Sequence, residues 1–241
     1  MTTISIQLSK NGTYAIVKGN ITDLNHLYKA INFAMLKKDG DILELTHSFA
    51  YKIRRAAQKA YSVSTISRQT YDRMTIDTMD LYIPSEHIEE FCSVELFLPT
   101  FLVQLKILDN YIQKDKKYCL EYANLIKLLK FLTIEAISAK DEEVGFYVHK
   151  WLRANHRFSE SYIPLHIQDL SLKYTNFEFP EKRIYELPKI LESALEKSKD
   201  YRTHKSSIAR LCRESNNDYN TITYDWHAVL FDKLEKNLIA I

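Results

Sequence analysis

Apolar and polar residues alternate at the start of the chain. Ile4, Ile6 and Leu8 are interleaved with Ser5, Gln7 and Ser9, the period of a half-buried strand. Asn11-Gly12 follows. That dipeptide tolerates positive φ at both positions, so the pattern predicts a two-residue hairpin turn and a returning strand over 13–19. The period then changes. Leu24, Leu27, Tyr28, Ile31 and Met35 form one helical stripe, with Asn20 or Thr22 as the N-cap and Gly40 as the closing residue. A second helix carries Ile42, Leu45, Phe49, Ile53, Ala56 and Ala60 on one face.

The middle of the chain is less regular. Residues 62–70 are rich in hydroxyls and read as a loop or a fraying helix end, and 74–83 read as a strand stopped by Pro84. Residues 88–98 fit strand and helix equally. Pro99 suits the first position of a helix, and 99–114 are apolar on nearly every side, the pattern of a helix buried at the centre of a fold. Two further helices are expected over 118–139 and 142–156, parted at Lys140-Asp141. Residues 159–180 contain Pro164 and Pro180 and read as irregular, with room for a short strand. Helices then fit 181–199, 204–214 and 225–238. The expected fold class is α+β, mainly helical, with a small antiparallel sheet seeded by the N-terminal β-hairpin. It is read as one domain over 1–241, with 159–180 as the one candidate boundary.

Composition narrows the function classes. Four Gly and five Pro in 241 residues are about 4% of the chain, against a usual share of about 12%. A Rossmann fingerprint, a P-loop and a nucleophile elbow each need closely spaced glycines. Gly12, Gly19, Gly40 and Gly145 complete none of them, and no cofactor is expected. Cys92, Cys119 and Cys212 are too far apart for metal or CxxC spacing and fit a reducing compartment. MTTISIQLSK lacks the apolar run of a secretory signal. The most apolar stretch, Val94 to Ile112, is interrupted by Glu95, Pro99, Gln104, Lys106 and Asp109, too polar for a membrane span. A cytoplasmic protein without membrane association is expected.

Net charge is only +2, yet the cations are clustered. Residues 50–73 hold Lys52, Arg54, Arg55, Lys59, Arg68 and Arg73 against Asp72, with Tyr51, Tyr61 and Tyr71 interleaved. Residues 197–213 hold Lys197, Lys199, Arg202, Lys205, Arg210 and Arg213 against Asp200. Such windows contact phosphates, and Tyr can stack on unpaired bases. Cations at a helix C-terminus also meet its negative dipole end, which by itself accounts for Lys52 to Lys59.

One helix combines titratable groups. Over 142–156, Glu142, Gly145, His149, Arg153 and His156 share the stripe opposite Val144, Tyr147, Val148 and Trp151. His149 and His156 are about 10 Å apart along a helix axis, whereas one Zn²⁺ holds its nitrogens at about 2.1 Å. No metal site is expected. Acid–base or phosphate contact by His149, Arg153 and His156 is the chemistry left to that stripe. Gly145 costs a helix interior about 1 kcal/mol relative to Ala, which points to close approach by another helix or a ligand.

No catalytic motif and no family-specific motif emerges. The expectation is a protein that acts through binding surfaces, as a regulatory or assembly component with a protein partner or a second copy of itself. Nucleic-acid binding through the two basic windows is the alternative. An enzyme with a dispersed His/Arg/Glu pocket is the third reading.

Overall fold

The N-terminal alternation builds β1 (Ser5–Leu8) and β2 (Tyr14–Asn20), which pair antiparallel with Ile6 opposite Val17. The computed structural model describes residues 2–35, 42–59, 62–76, 79–114, 120–158 and 162–216. The hairpin turn is longer than the sequence suggests. Leu8 still pairs with Ala15, residues 10–13 close the loop, and only Gly12 takes a positive φ, of 66°. Ser9 accounts for the difference. Its carbonyl accepts the Gly12 N–H at 2.9 Å and its N–H donates to the Tyr14 carbonyl at 3.0 Å. Its hydroxyl accepts the Tyr14 N–H at 3.0 Å.

Helix α1 (Ile21–Met35) starts at Asn20, whose side-chain oxygen accepts the Asp23 N–H at 2.8 Å. It buries Leu24, Leu27, Ile31 and Met35. Helix α2 (Ile42–Ala57) buries Leu45, Phe49, Ile53 and Ala56. Gly40 and Ala60 lie outside the described residues. Both helices cover the sheet face that carries Ala15, Val17, Cys92, Val94 and Leu96.

The hydroxyl-rich stretch is a strand, not a loop. β3 (Ser62–Ile76) pairs antiparallel with β4 (Met79–Phe97) without a break, from Ser62 opposite Ser93 to Ile76 opposite Met79. Its Val63, Thr65, Ile66, Thr70, Thr75 and Ile76 are β-branched and favour extended backbone. Pro84 does not stop a strand but sits within β4. The ambiguous 88–98 segment is strand up to Phe97. Strand order is β1-β2-β4-β3, with Val17 opposite Val94 in the β2–β4 ladder. β2 leaves β4 at Phe91, so β3 and β4 continue alone as a two-stranded ribbon.

Helix α3 (Leu98–Lys114) has Pro99 as its second residue, and residues 101–109 are buried without exception. Helices α4 (Leu120–Ser138), α5 (Glu142–Arg153), α6 (Ile163–Thr175) and α7 (Arg183–Ser193) pack around it, together with α1 and α2. The Asp141 side chain caps α5 by accepting the Val144 N–H at 2.9 Å. α6 replaces the irregular segment expected there, because Pro164 occupies the first turn, where no helical N–H is lost. The helix expected over 181–199 ends at Ser193, and the Ser198 hydroxyl caps α8 (Lys199–Ser215). Pro188 falls in the interior of α7. Residues 225–238 lie outside the described residues.

The interior glycine marks a helix–helix approach. A Cβ built on Gly145 falls 2.8 Å from the Cα of Ser138 at the end of α4, closer than packed atoms allow. We expect Gly145→Ala to destabilise the chain by about 1–3 kcal/mol through this clash, despite the roughly 1 kcal/mol gain in helix propensity. Denaturant unfolding of the two proteins checks it; an unchanged or raised midpoint would show that the helices do not meet here.

Candidate functional site

The first basic window is divided between two elements. Lys52, Arg54 and Arg55 occupy the last turns of α2, and Lys59 follows its end. Three of these four cations are engaged within the chain. The Lys52 ammonium lies 6.0 Å from the Phe97 ring centre, and burial lowers its pKa. The Arg54 guanidinium is 5.7 Å from the Tyr28 ring, within cation–π range. Lys59 pairs with Glu90. Arg55 is exposed. Arg68 and Arg73 belong to β3, opposite His87 and Tyr82 in the ladder. The window is contiguous in sequence and dispersed in space.

Four of the second window's six cations share one surface; Lys197 and Lys205 do not line it. Lys199, Arg202, Thr203, Ser206, Ser207, Arg210 and Arg213 line a shallow, solvent-open groove of about 730 Å³ along α8. Their spacing of three and four residues places them on one helical face. The opposite face is anchored: Tyr201 and Ile208 are buried, and the Lys205 ammonium stands 5.9 Å from the Tyr162 ring. Local bonds pre-position the groove. Arg202 donates to the Lys197 carbonyl at 2.7 Å, Arg213 to the Ala209 carbonyl at 3.2 Å, and Arg210 faces Glu214 at 3.7 Å. The Ser206 and Ser207 hydroxyls donate to the carbonyls of Arg202 and Thr203. That leaves their oxygens as acceptors and leaves the cations as the groove's donors. Each guanidinium has five N–H groups, more than these bonds use. The arrangement suits a string of anionic oxygens.

A histidine pair lies beneath this helix, unforeseen from the sequence. His166 of α6 is 1% exposed, and its Nε2 is 2.8 Å from the Ser193 carbonyl. Its ring centre is 5.0 Å from that of His204 and 5.4 Å from that of Tyr201, both on α8. His166 Nδ1 and His204 Nε2 have no hydrogen-bond partner among the described residues. Burial lowers both pKa values, for His204 to about 4, with the neighbouring His166 adding to the depression and Asp169 opposing it. The only sequence signal was period: His204 is three residues from Tyr201 and four from Ile208, on the buried face of α8.

The α5 stripe separates at its end. His149 is half-buried within the helix and Arg153 is exposed in its last turn. His156 lies beyond the helix, its ring 5.1 Å from that of Trp151 and its carbonyl accepting Asn110 Nδ2 at 2.7 Å. Burial, followed by the Lys106 charge, lowers its pKa. Its ring thus stacks on a residue of the apolar stripe, while Gly145 is buried against α4. Tyr147 on the same helix donates to Glu192 of α7. Cys92 is buried in the core and Cys212 half-buried on α8; Cys119 lies outside the described residues. Among the described residues no three His, Cys, Asp or Glu side chains converge as a metal-holding set. No helix among them is long and apolar enough to cross a membrane.

Comparison with known proteins gives one match. Residues 4–229 fit the model of a family described as a domain of unknown function, DUF6904. No curated protein and no solved structure matches the chain.

The histidine pair has a pH signature. Both groups have folded-state pKa values below the unfolded value of about 6.5, so the unfolded chain takes up protons first as pH falls. Their contribution is fully present above about pH 7 and declines progressively toward about pH 4, where His204 charges in the folded state. We expect the thermal midpoint to fall by several degrees between pH 7.5 and pH 5, and His204→Gln to reduce that fall. Equal pH profiles for the two proteins would remove the pair as its cause.

Proposed function

The chain belongs to the DUF6904 family, and we propose that it is a binding protein working through exposed surfaces, the foremost being the cationic face of α8. The partner best suited to that face is a phosphate-bearing polyanion of the nucleic-acid class. One observation carries this reading. Four cations and three hydroxyls line a groove open to solvent along a single helix, whose other face is held to α6 and α7. A helical row of this kind spans about 20 Å between Lys199 and Arg213, at 1.5 Å per residue. Successive phosphates can meet successive turns, as backbone contacts do in non-specific nucleic-acid binding.

Lys52, Arg54 and Lys59 are engaged within the chain and Arg68 and Arg73 belong to a different element, β3, so the first basic window contributes less to this surface than its residue count suggests. A regulatory or assembly role remains the broader frame, with polyanion contact as its chemistry.

Fluorescence anisotropy with mixed-sequence single-stranded RNA and duplex DNA tests the reading. Binding is expected at about 50 mM salt and is expected to weaken steeply as salt rises. The double variant Arg202→Glu, Arg210→Glu should lose most of it, at least about tenfold, while Arg54→Glu changes it little. Absence of binding by the native chain at low salt would refute the polyanion reading.

A further inference from the structure

The groove along α8 orders its chemistry along the helix. Lys199 and Arg202 stand at one end, Arg210 and Arg213 at the other, and Thr203, Ser206 and Ser207 lie between them, all seven exposed. The inner cations, Arg202 and Arg210, are about 12 Å apart along the axis. The middle of the groove is therefore uncharged, and it differs from the ends in hydrogen-bond sense. Arginine and lysine only donate. The Ser206 hydroxyl donates to the Arg202 carbonyl at 2.9 Å and the Ser207 hydroxyl to the Thr203 carbonyl at 3.0 Å, so both oxygens are left to accept.

A phosphate oxygen is itself an acceptor, so it satisfies the ends of the groove and not its middle. The ligand that fits carries anions at both ends and hydrogen-bond donors between them. A ribose 2′-hydroxyl is such a donor, and it is the group that separates RNA from DNA. An A-form duplex displays its 2′-hydroxyls in a wide, shallow minor groove, between the phosphates of its two strands. The minor groove of B-DNA, about 6 Å wide, excludes a helix about 10 Å across, and its sugars offer no donor. A single strand fits less well. Its binders stack bases on aromatic side chains, and no aromatic residue lines this groove among the described residues.

Resting on the polyanion reading of this face, we infer that the α8 groove selects duplex RNA. Helix α8 lies across the minor groove, with Lys199 and Arg202 on phosphates of one strand and Arg210 and Arg213 on phosphates of the other. Ser206 and Ser207 accept from 2′-hydroxyls between them. No base edge is used, so recognition follows A-form shape and sugar chemistry rather than sequence. The bonds already made by the cations leave room for this. The Arg210–Glu214 pair is exposed, and such pairs hold weakly against a competing anion. Arg202 and Arg213 keep N–H groups beyond those given to backbone carbonyls. Tyr201 and Ile208, buried on the other side of the helix, fix the face that meets the ligand.

Fluorescence anisotropy of the full chain with probes of one mixed sequence tests it: an RNA duplex, the matching DNA duplex, a 2′-fluoro RNA duplex and the RNA strand alone. The 2′-fluoro duplex keeps the A-form and the charge but has no 2′ donor. At about 50 mM salt the RNA duplex should bind at least about tenfold more tightly than each of the other three, the scale of two lost hydrogen bonds. Ser206→Ala with Ser207→Ala keeps the four cations and favours the helix, and it should bring RNA-duplex and DNA-duplex affinities within about threefold of each other. An RNA duplex bound no more tightly than the DNA or the 2′-fluoro duplex overturns the inference and leaves the polyanion reading standing. A preference for duplex RNA that survives the double alanine variant, or a single strand bound as tightly as the duplex, does the same. Failure of the native chain to bind any of the four overturns both.

Discussion

Helix α3 is enclosed on every side, yet three of its buried side chains are Gln104, Lys106 and Asp109. A buried polar group without a partner costs more than a hydrogen bond gains, so each of these must be met by a surrounding element. Each is, and by a different one. Gln104 donates to the Leu45 carbonyl of α2 at 2.7 Å, Lys106 to the Leu152 carbonyl of α5 at 3.0 Å, and Asp109 pairs with Lys130 of α4 at 2.5 Å. The Thr100 and Ser171 hydroxyls, 2.7 Å apart, add α6. The apolar positions of α3 bring these helices in without specifying their rotation or depth. The polar positions, having directional needs, specify both.

A second set of directional contacts joins the N-terminal hairpin to the C-terminal helices. Tyr174 of α6 donates to the Gly12 carbonyl at 3.0 Å, and buried Arg183 of α7 donates to the Thr13 hydroxyl and to the Thr175 carbonyl. The loop at 10–13 is thus shaped by residues more than 160 positions away. Through these contacts the sheet is held from its turn end while α1 and α2 hold its face. The outer face of α8, by contrast, is open to solvent. The surface assigned to binding is one the core has no use for.

The sequence disclosed the helical architecture well where burial was one-sided. Leu24, Leu27, Ile31 and Met35 repeat at helical spacing because one face of α1 meets the core and the other meets water, and the same holds for α2 and α5. Residues 99–114 were legible as a central helix for the converse reason. β3 is not legible in the sequence because its Ser, Thr and Gln do not alternate cleanly with apolar residues and so resemble a loop. α6 was obscured by a proline that its first turn tolerates. Of the candidate sites, four of the six cations of the 197–213 window share one surface because a helix brings residues three and four apart together. The 50–73 window did not, because it spans a helix end and a strand. His149, Arg153 and His156 share a helical projection, yet the helix stops at Arg153 and the His156 ring turns to Trp151.

By itself, then, the sequence determined the element types wherever a period of two or 3.6 recorded a single buried face, and it determined where the charges are concentrated. Tertiary structure alone decided which charges share a surface and which histidines are desolvated. The physical reason is range. Periodicity reports how each short segment divides between core and solvent. Desolvation of His166 by α8 and the bond from Tyr174 to the Gly12 carbonyl depend on segments distant in the chain, and no local pattern encodes their approach.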